Sequence, residues 1–140
     1  MADFQDLGSI IEYSVDLSKQ DAPEPLPAGE YTAQVRSAMQ KTSQRGTRYG
    51  EVAFHISSDQ YPPDFTEGNP DGTTIMYRRV SLEDNAQARY GTKRFIEALG
   101  APLGKKIDVN DWVGSEAAVE VGSETWEGTP RAVITRVRAT

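Results

Sequence analysis

The fold class this chain predicts is all-β, a small five-stranded barrel with one helix inserted between the third and fourth strands. Three observations carry that prediction. Inward-type apolar residues recur at a period of two in four separate stretches, the pattern of half-buried strands, and a fifth stretch, Thr73 to Ser81, reads as a strand with Ile75, Met76, Tyr77 and Val80 interrupted by Arg78 and Arg79. One stretch, between the third and fourth strands in chain order, changes to a helical period. Pro, Gly, Asp and Asn gather between the stretches, where the backbone must turn.

At 140 residues, with 37% hydrophobic and 26% charged, the chain is long enough for one domain with its own core and too short for two. No run of about 18 apolar residues and no basic segment leading into an apolar one is present, so neither a membrane span nor a secretory signal is expected. An intracellular, cytoplasmic protein is the simplest reading. With no cysteine and one histidine, disulfides and thiol chemistry are excluded, and no metal or other cofactor is expected.

The net charge of −6 is unevenly placed. Residues 1–30 hold seven acids (Asp3, Asp6, Glu12, Asp16, Asp21, Glu24, Glu30) against Lys19 alone, whereas residues 31–140 hold fourteen acids and fourteen bases. An acidic total therefore does not exclude a polyanionic partner, because the field over the body decides.

Residues 1–27 are expected as an acidic, Pro-rich arm and residues 28–140 as the barrel domain. In the arm, Phe4, Leu7, Ile10, Ile11 and Val15 have the spacing of a short amphipathic helix. Pro23, Pro25 and Pro27 then deny backbone donors and end regular structure. The arm is either a frayed terminus or an acidic strip that covers a basic surface or docks on a partner.

Strand one is expected from Glu30 to Gln40, with Tyr31, Ala33 and Val35 alternating, and strand two from Arg48 to Ser57, with Val52, Phe54 and Ile56. Ser58 to Gly72, rich in Pro, Gly and Asp, reads as a surface excursion and the most mobile internal segment. Thr73 to Ser81 is the third strand. Ala86, Tyr90, Phe95, Ile96 and Leu99 lie on one helical face, with cap-type residues over Leu82 to Asn85, Gly100 placed to close the helix, and Gly91 as a point where it could divide. The fourth strand is expected from Ser115 to Val121, a hairpin loop from Gly122 to Pro130, and the fifth strand from Arg131 to Arg138.

Strand, strand, strand, helix, strand, strand is the order of the OB-fold, whose second and third strands and loops 1-2 and 4-5 bind oligonucleotides. Here loop 1-2 carries Lys41 and Arg45, with Arg48 and Tyr49 at its exit. Strand three adds Tyr77, Arg78 and Arg79, and loop 4-5 carries Trp126 with Arg131 after it. Cations neutralise phosphates and rings stack on unpaired bases, so these nine residues are the candidate nucleic-acid-binding set. They are expected to converge on one flank of the barrel. The helix mixes Glu83, Asp84 and Glu97 with Arg89, Lys93 and Arg94, which suits a single strand better than the groove of a duplex.

The segments Leu26-Pro27-Ala28-Gly29-Glu30-Tyr31-Thr32-Ala33 and Lys41-Thr42-Ser43-Gln44-Arg45-Gly46-Thr47 resemble the opening of small phage-encoded single-stranded-DNA-binding proteins found among replication and recombination genes. So do Phe95-Ile96-Glu97-Ala98-Leu99-Gly100, the Val113-Gly114 step and Trp126-Glu127-Gly128. The resemblance spans about residues 26 to 138. It implies an OB-fold that coats single-stranded DNA in the host cytoplasm, and it is compatible with a homo-oligomer. Proteins of this function often end in an acidic tail that recruits replication or recombination partners. This chain ends Arg136-Val137-Arg138-Ala139-Thr140, so a comparable acidic element, if the chain has one, is expected in the N-terminal arm.

Each residue also has a plainer reading. Trp126 could clasp its hairpin, Tyr49 and Tyr77 could pack as cross-strand rings, and strand cations are ordinarily solvated. Trp112 is expected to plug the core. His55 and the hydroxyls form no recognisable nucleophile, base and acid set, and Glu67 to Arg78 fails as a calcium loop because its twelfth residue is Arg78. A non-enzymatic binding module is therefore expected. The alternative is a phage structural or assembly protein that uses a small barrel and an extended arm for protein-protein contacts.

Overall fold

The structure is a computed structural model that describes residues 7–140. β1 (Gly29–Thr42), β2 (Arg48–Ile56) and β3 (Thr73–Ser81) are followed by α1 (Ala86–Leu99), and then β4 (Glu116–Trp126) and β5 (Thr129–Arg138) complete one five-stranded sheet. The order across the sheet is β3-β2-β1-β4-β5 and every neighbouring pair is antiparallel. Bulges in β1 at Arg36, in β3 between Tyr77 and Val80, and in β5 at Thr135 raise the local twist. The sheet curls until β3 and β5 approach each other, and α1 packs against both. Among the described residues no ladder joins these two edges, so the expected closed barrel is observed as an open curled sheet.

The core lies inside the curl. Tyr31, Ala33 and Val35 of β1, Val52, Phe54 and Ile56 of β2, and Ala117, Val119 and Val121 of β4 point inward at period two. α1 adds Phe95, Ile96 and Leu99, and Trp112 is fully buried as expected. Phe95 lies edge-on to Trp112 and to Phe54, with centroids 5.5 and 6.3 Å apart. α1 is capped as its sequence indicates: the Asn85 side chain accepts from Ala88 N at 2.9 Å, and Gly100 closes the helix in the left-handed region. Gly91 does not divide it, because it sits on the exposed face and no packing depends on it.

Three expectations are corrected. Residues 7–24 are exposed and contain no α-helix, only a 3-10 turn at Leu17–Lys19. Leu7, Ile10, Ile11 and Val15 have no apolar surface beneath them to pay for the ordering of a helix; Phe4, the fifth member of the set, lies outside the described residues. Leu26 does reach the core, and the Tyr31 hydroxyl donates to Pro27 O at 2.8 Å, so the sheet domain holds the chain from Pro25 onward. Second, residues 122–126 are strand, not loop. β4 and β5 pair out to Trp126 and Thr129, and the loop shrinks to Glu127-Gly128, both at positive φ, the signature of a two-residue hairpin turn. Third, the excursion Ser58 to Gly72 is tied down. Phe65 is buried edge-on to Tyr61, whose hydroxyl bonds Asn69 O and Thr73 Oγ1, and Gln60 bonds both backbone groups of Thr32.

Gly72 ends that excursion at φ +97°, where an added Cβ would lie 2.5 Å from His55 Nε2 and 2.6 Å from Ile56 O. Gly72→Ala combines backbone strain with a clash against main chain, and a loss of about 2–4 kcal/mol in urea unfolding is expected. A loss below about 0.5 kcal/mol would mean that the excursion yields freely.

Candidate nucleic-acid interface

The bulge after Val35 turns the second half of β1 over, so Met39 and Lys41 lie on the outer face of the sheet. Their cross-strand partners are Glu51 and Tyr49 of β2, and Ala53 faces Met76 of β3. Met39 and Met76 are exposed and Tyr49 is half-buried. This face offers polarizable, flat-lying side chains flanked by charge.

Glu51 organises the charge. Among the described residues it is the one buried charged side chain of the core strands, only 7% exposed, and its carboxylate holds Lys41 Nζ at 3.1 Å and Arg78 Nε at 2.7 Å. Two cations share one anion, which leaves a net positive charge at a fixed position. The hydrogen bond from Arg78, and after it the one from Lys41, holds the Glu51 carboxyl below its ordinary value of 4.5. As pH falls, the unfolded chain takes up this proton first. The contribution to stability is therefore complete above 4.5 and is lost as pH drops through the lower folded-state value. Glu51→Gln is expected to lower the urea midpoint at neutral pH and to converge with wild type in acid; an equal gap at all pH values would separate Glu51 from acid unfolding.

The loop between β1 and β2 is tight. Ser43 N donates to Thr47 O at 2.8 Å, Gly46 N to Ser43 O at 2.9 Å, and Thr47 N to Ser43 Oγ at 3.1 Å. Arg45 stands exposed at its tip. Arg45 and Arg79 have no acidic partner among the described residues. Arg48 is directed elsewhere, toward Glu83 before α1, at 3.8 Å.

Two of the nine residues are not where convergence requires them, and a third is turned inward. Tyr77 stacks on Phe95 with planes 13° apart and centroids 5.8 Å apart, and it meets Phe54 edge-on at 6.1 Å. Burial raises its hydroxyl pKa above the ordinary value. Its register partner is core-facing Val52, so the ring belongs to the packing of α1 and not to the outer face. Trp126 and Arg131 form a separate group on the β4–β5 hairpin. Trp126 is 59% exposed, with the Arg131 guanidinium 5.2 Å from its ring centroid and paired with Glu124. β4 pairs with Gly29 to Gln34 only, so this hairpin projects past the N-terminal end of β1, whereas Arg45 follows its C-terminal end. The expected single cluster is two clusters at opposite ends of β1.

Sequence reasoning missed Met39, Met76 and Glu51. Nothing in a strand acid marks it as buried; only the register, with Lys41 beside it and Arg78 across the bulge, does so. Among the described residues no group of three or more His, Asp or Glu side chains is placed to hold a metal ion, and no helix is long and apolar enough to cross a membrane. His55 Nδ1 lies 3.0 Å from Thr74 Oγ1.

Residues 13–130 match the model of the family described as protein of unknown function (DUF669). The chain belongs to the DUF669 family. No curated protein matches it. The DUF669 match begins at Tyr13, inside the exposed arm, and runs through the outer face and the β4–β5 hairpin to Pro130.

Proposed function

We propose that this DUF669 protein is a non-enzymatic module that binds single-stranded DNA with little sequence preference, through the outer face of β1, β2 and β3 and the loop carrying Arg45. In this reading the curled sheet is an open variant of the OB-fold, and the protein serves phage replication or recombination in the host cytoplasm, as the sequence resemblance implies. One observation supports it above the others: Lys41 and Arg78 are pre-positioned on a shared carboxylate beside exposed Met39 and Met76, with Arg45 exposed on the adjoining loop. Phosphate neutralisation falls to Lys41, Arg45, Arg78 and Arg79, with Tyr49 and the methionines against the bases.

Trp126 and Arg131 then act as a second contact, reached only by a strand long enough to pass from one end of β1 to the other. Labelled oligo-dT is expected to bind at low salt, to weaken as salt rises, and to resist competition by duplex. Oligomers of about 16 nucleotides should quench Trp126 emission whereas those of about 4 should not, these being the limits of site size for one OB domain. Absence of any binding at low salt to folded protein would overturn the reading.

A structural or assembly role is the second reading. The observation that favours it is the arm, where Leu7, Ile10 and Ile11 stand 73 to 88% exposed.

A further inference from the structure

A groove of about 590 Å³ opens between α1, the start of β2 and the segment that leads from Gly100 to Trp112. Its floor is apolar, made by Leu82, Ile96, Leu103, Ile107 and Trp112. Leu103 and Ile107 are exposed at 49 and 37%, and the Trp112 Nε1 donor is buried without an acceptor among the described residues. Four cations surround this floor. Arg48 and Arg89 are matched by Glu83 and Asp84, whereas Lys93 and Lys105 have no acidic partner among the described residues. The groove thus presents apolar surface and an excess of two positive charges.

The arm is its chemical complement. From Leu7 to Leu17 it carries Leu7, Ile10, Ile11, Val15 and Leu17, each more than half exposed, alternating with Glu12 and Asp16 and preceded in sequence by Asp3 and Asp6. Large aliphatic side chains exposed in such density mark an interaction surface. The arm is rooted by Leu26 and Pro27 at the N-terminal end of β1, whereas the groove adjoins Gln40 near its C-terminal end. To fill its own groove the arm would have to reverse at the prolines and run about 36 Å back along the strand, at roughly 3.3 Å per residue.

We infer that the groove receives the arm of a second copy of this chain, and that two copies exchange arms reciprocally across a two-fold axis, each supplying the aliphatic and acidic side chains that the other's floor and lysines take. Lys93 and Lys105 meet the arm carboxylates, and the apolar floor covers Ile10 and Ile11.

The test uses full-length chains and mass by light scattering or sedimentation, with circular dichroism as the check on folding. All substituted positions lie outside the buried core. Wild type is expected to be dimeric, dissociating on dilution and in high salt. Ile10→Asp/Ile11→Asp spoils the arm, and Lys93→Glu/Lys105→Glu spoils the groove; each variant alone should be monomeric. Mixed, they retain one intact arm and one intact groove, and a heterodimer should reappear at higher concentration. Wild type that is monomeric throughout, with its arm free or folded on its own groove, overturns the inference. So do variants that keep the wild-type mass, or a mixture that stays monomeric. No nucleic acid enters the measurement, so its failure is separate from failure of the DNA-binding reading.

Discussion

Removing Arg45 and Arg79 together is expected to lower affinity for oligo-dT about sixtyfold at about 50 mM salt. The magnitude follows from counterion release, which for single strands has a slope of about 0.7 per neutralised phosphate, or roughly eightfold per phosphate at that salt. These two arginines are chosen because neither has an acid to neutralise it among the described residues, whereas Arg48 faces Glu83, Arg131 faces Glu124, and Lys41 and Arg78 share Glu51. The double variant Arg45→Ala/Arg79→Ala should also flatten the salt dependence, by about 0.7 for each phosphate that is no longer neutralised. Anisotropy of labelled oligo-dT across a salt series measures both quantities. A loss smaller than about threefold with an unchanged slope would remove the loop and β3 from the phosphate path.

Trp112→Ala is expected to cost about 3–5 kcal/mol, a large part of the roughly 5–15 kcal/mol by which a domain of this size is stable. The ring is fully buried and lies edge-on to Phe95, so it links the sheet to α1. Its own backbone is tied down on both sides: Asp108 caps the 3-10 turn Val109–Trp112, Ser115 N donates to Trp112 O at 3.1 Å, and Gly114 N donates to Val35 O at 2.8 Å. Trp112→Phe should be milder, because it discards an indole donor that has no acceptor among the described residues, a group whose burial costs about 1–3 kcal/mol. Urea unfolding of the two variants gives the ranking. An alanine variant within about 1 kcal/mol of wild type would show that the turn is not a keystone of the core.

Much of this architecture was legible in the chain. α1 is bounded by Asn85 and Gly100, since a cap side chain and a left-handed glycine act through local backbone geometry that needs no tertiary partner. The extent of the hairpin is not legible in the chain, for the opposite reason. Gly122, Ser123 and Glu124 have little strand propensity of their own, yet they pair with Val133, Ala132 and Arg131, because a strand is stabilised by what lies across from it. The arm obeys the same rule: its helical spacing is real, but a helix that short needs a surface to bury its apolar stripe.

Among the site residues the same division holds. Composition and order alone established that the charge excess sits in the arm, that the body is balanced, and that cations and rings flank the strand ends, because these are properties of residue type and local period. Only the folded sheet decided which of them meet. The bulge after Val35 sends Lys41 to the outer face, Glu51 gathers Lys41 and Arg78, Tyr77 turns in toward Phe95, and the β1–β4 register carries Trp126 away from Arg45. A shift of one residue in a strand reverses every side chain along it, so facing and proximity are set by long-range pairing that no local pattern contains.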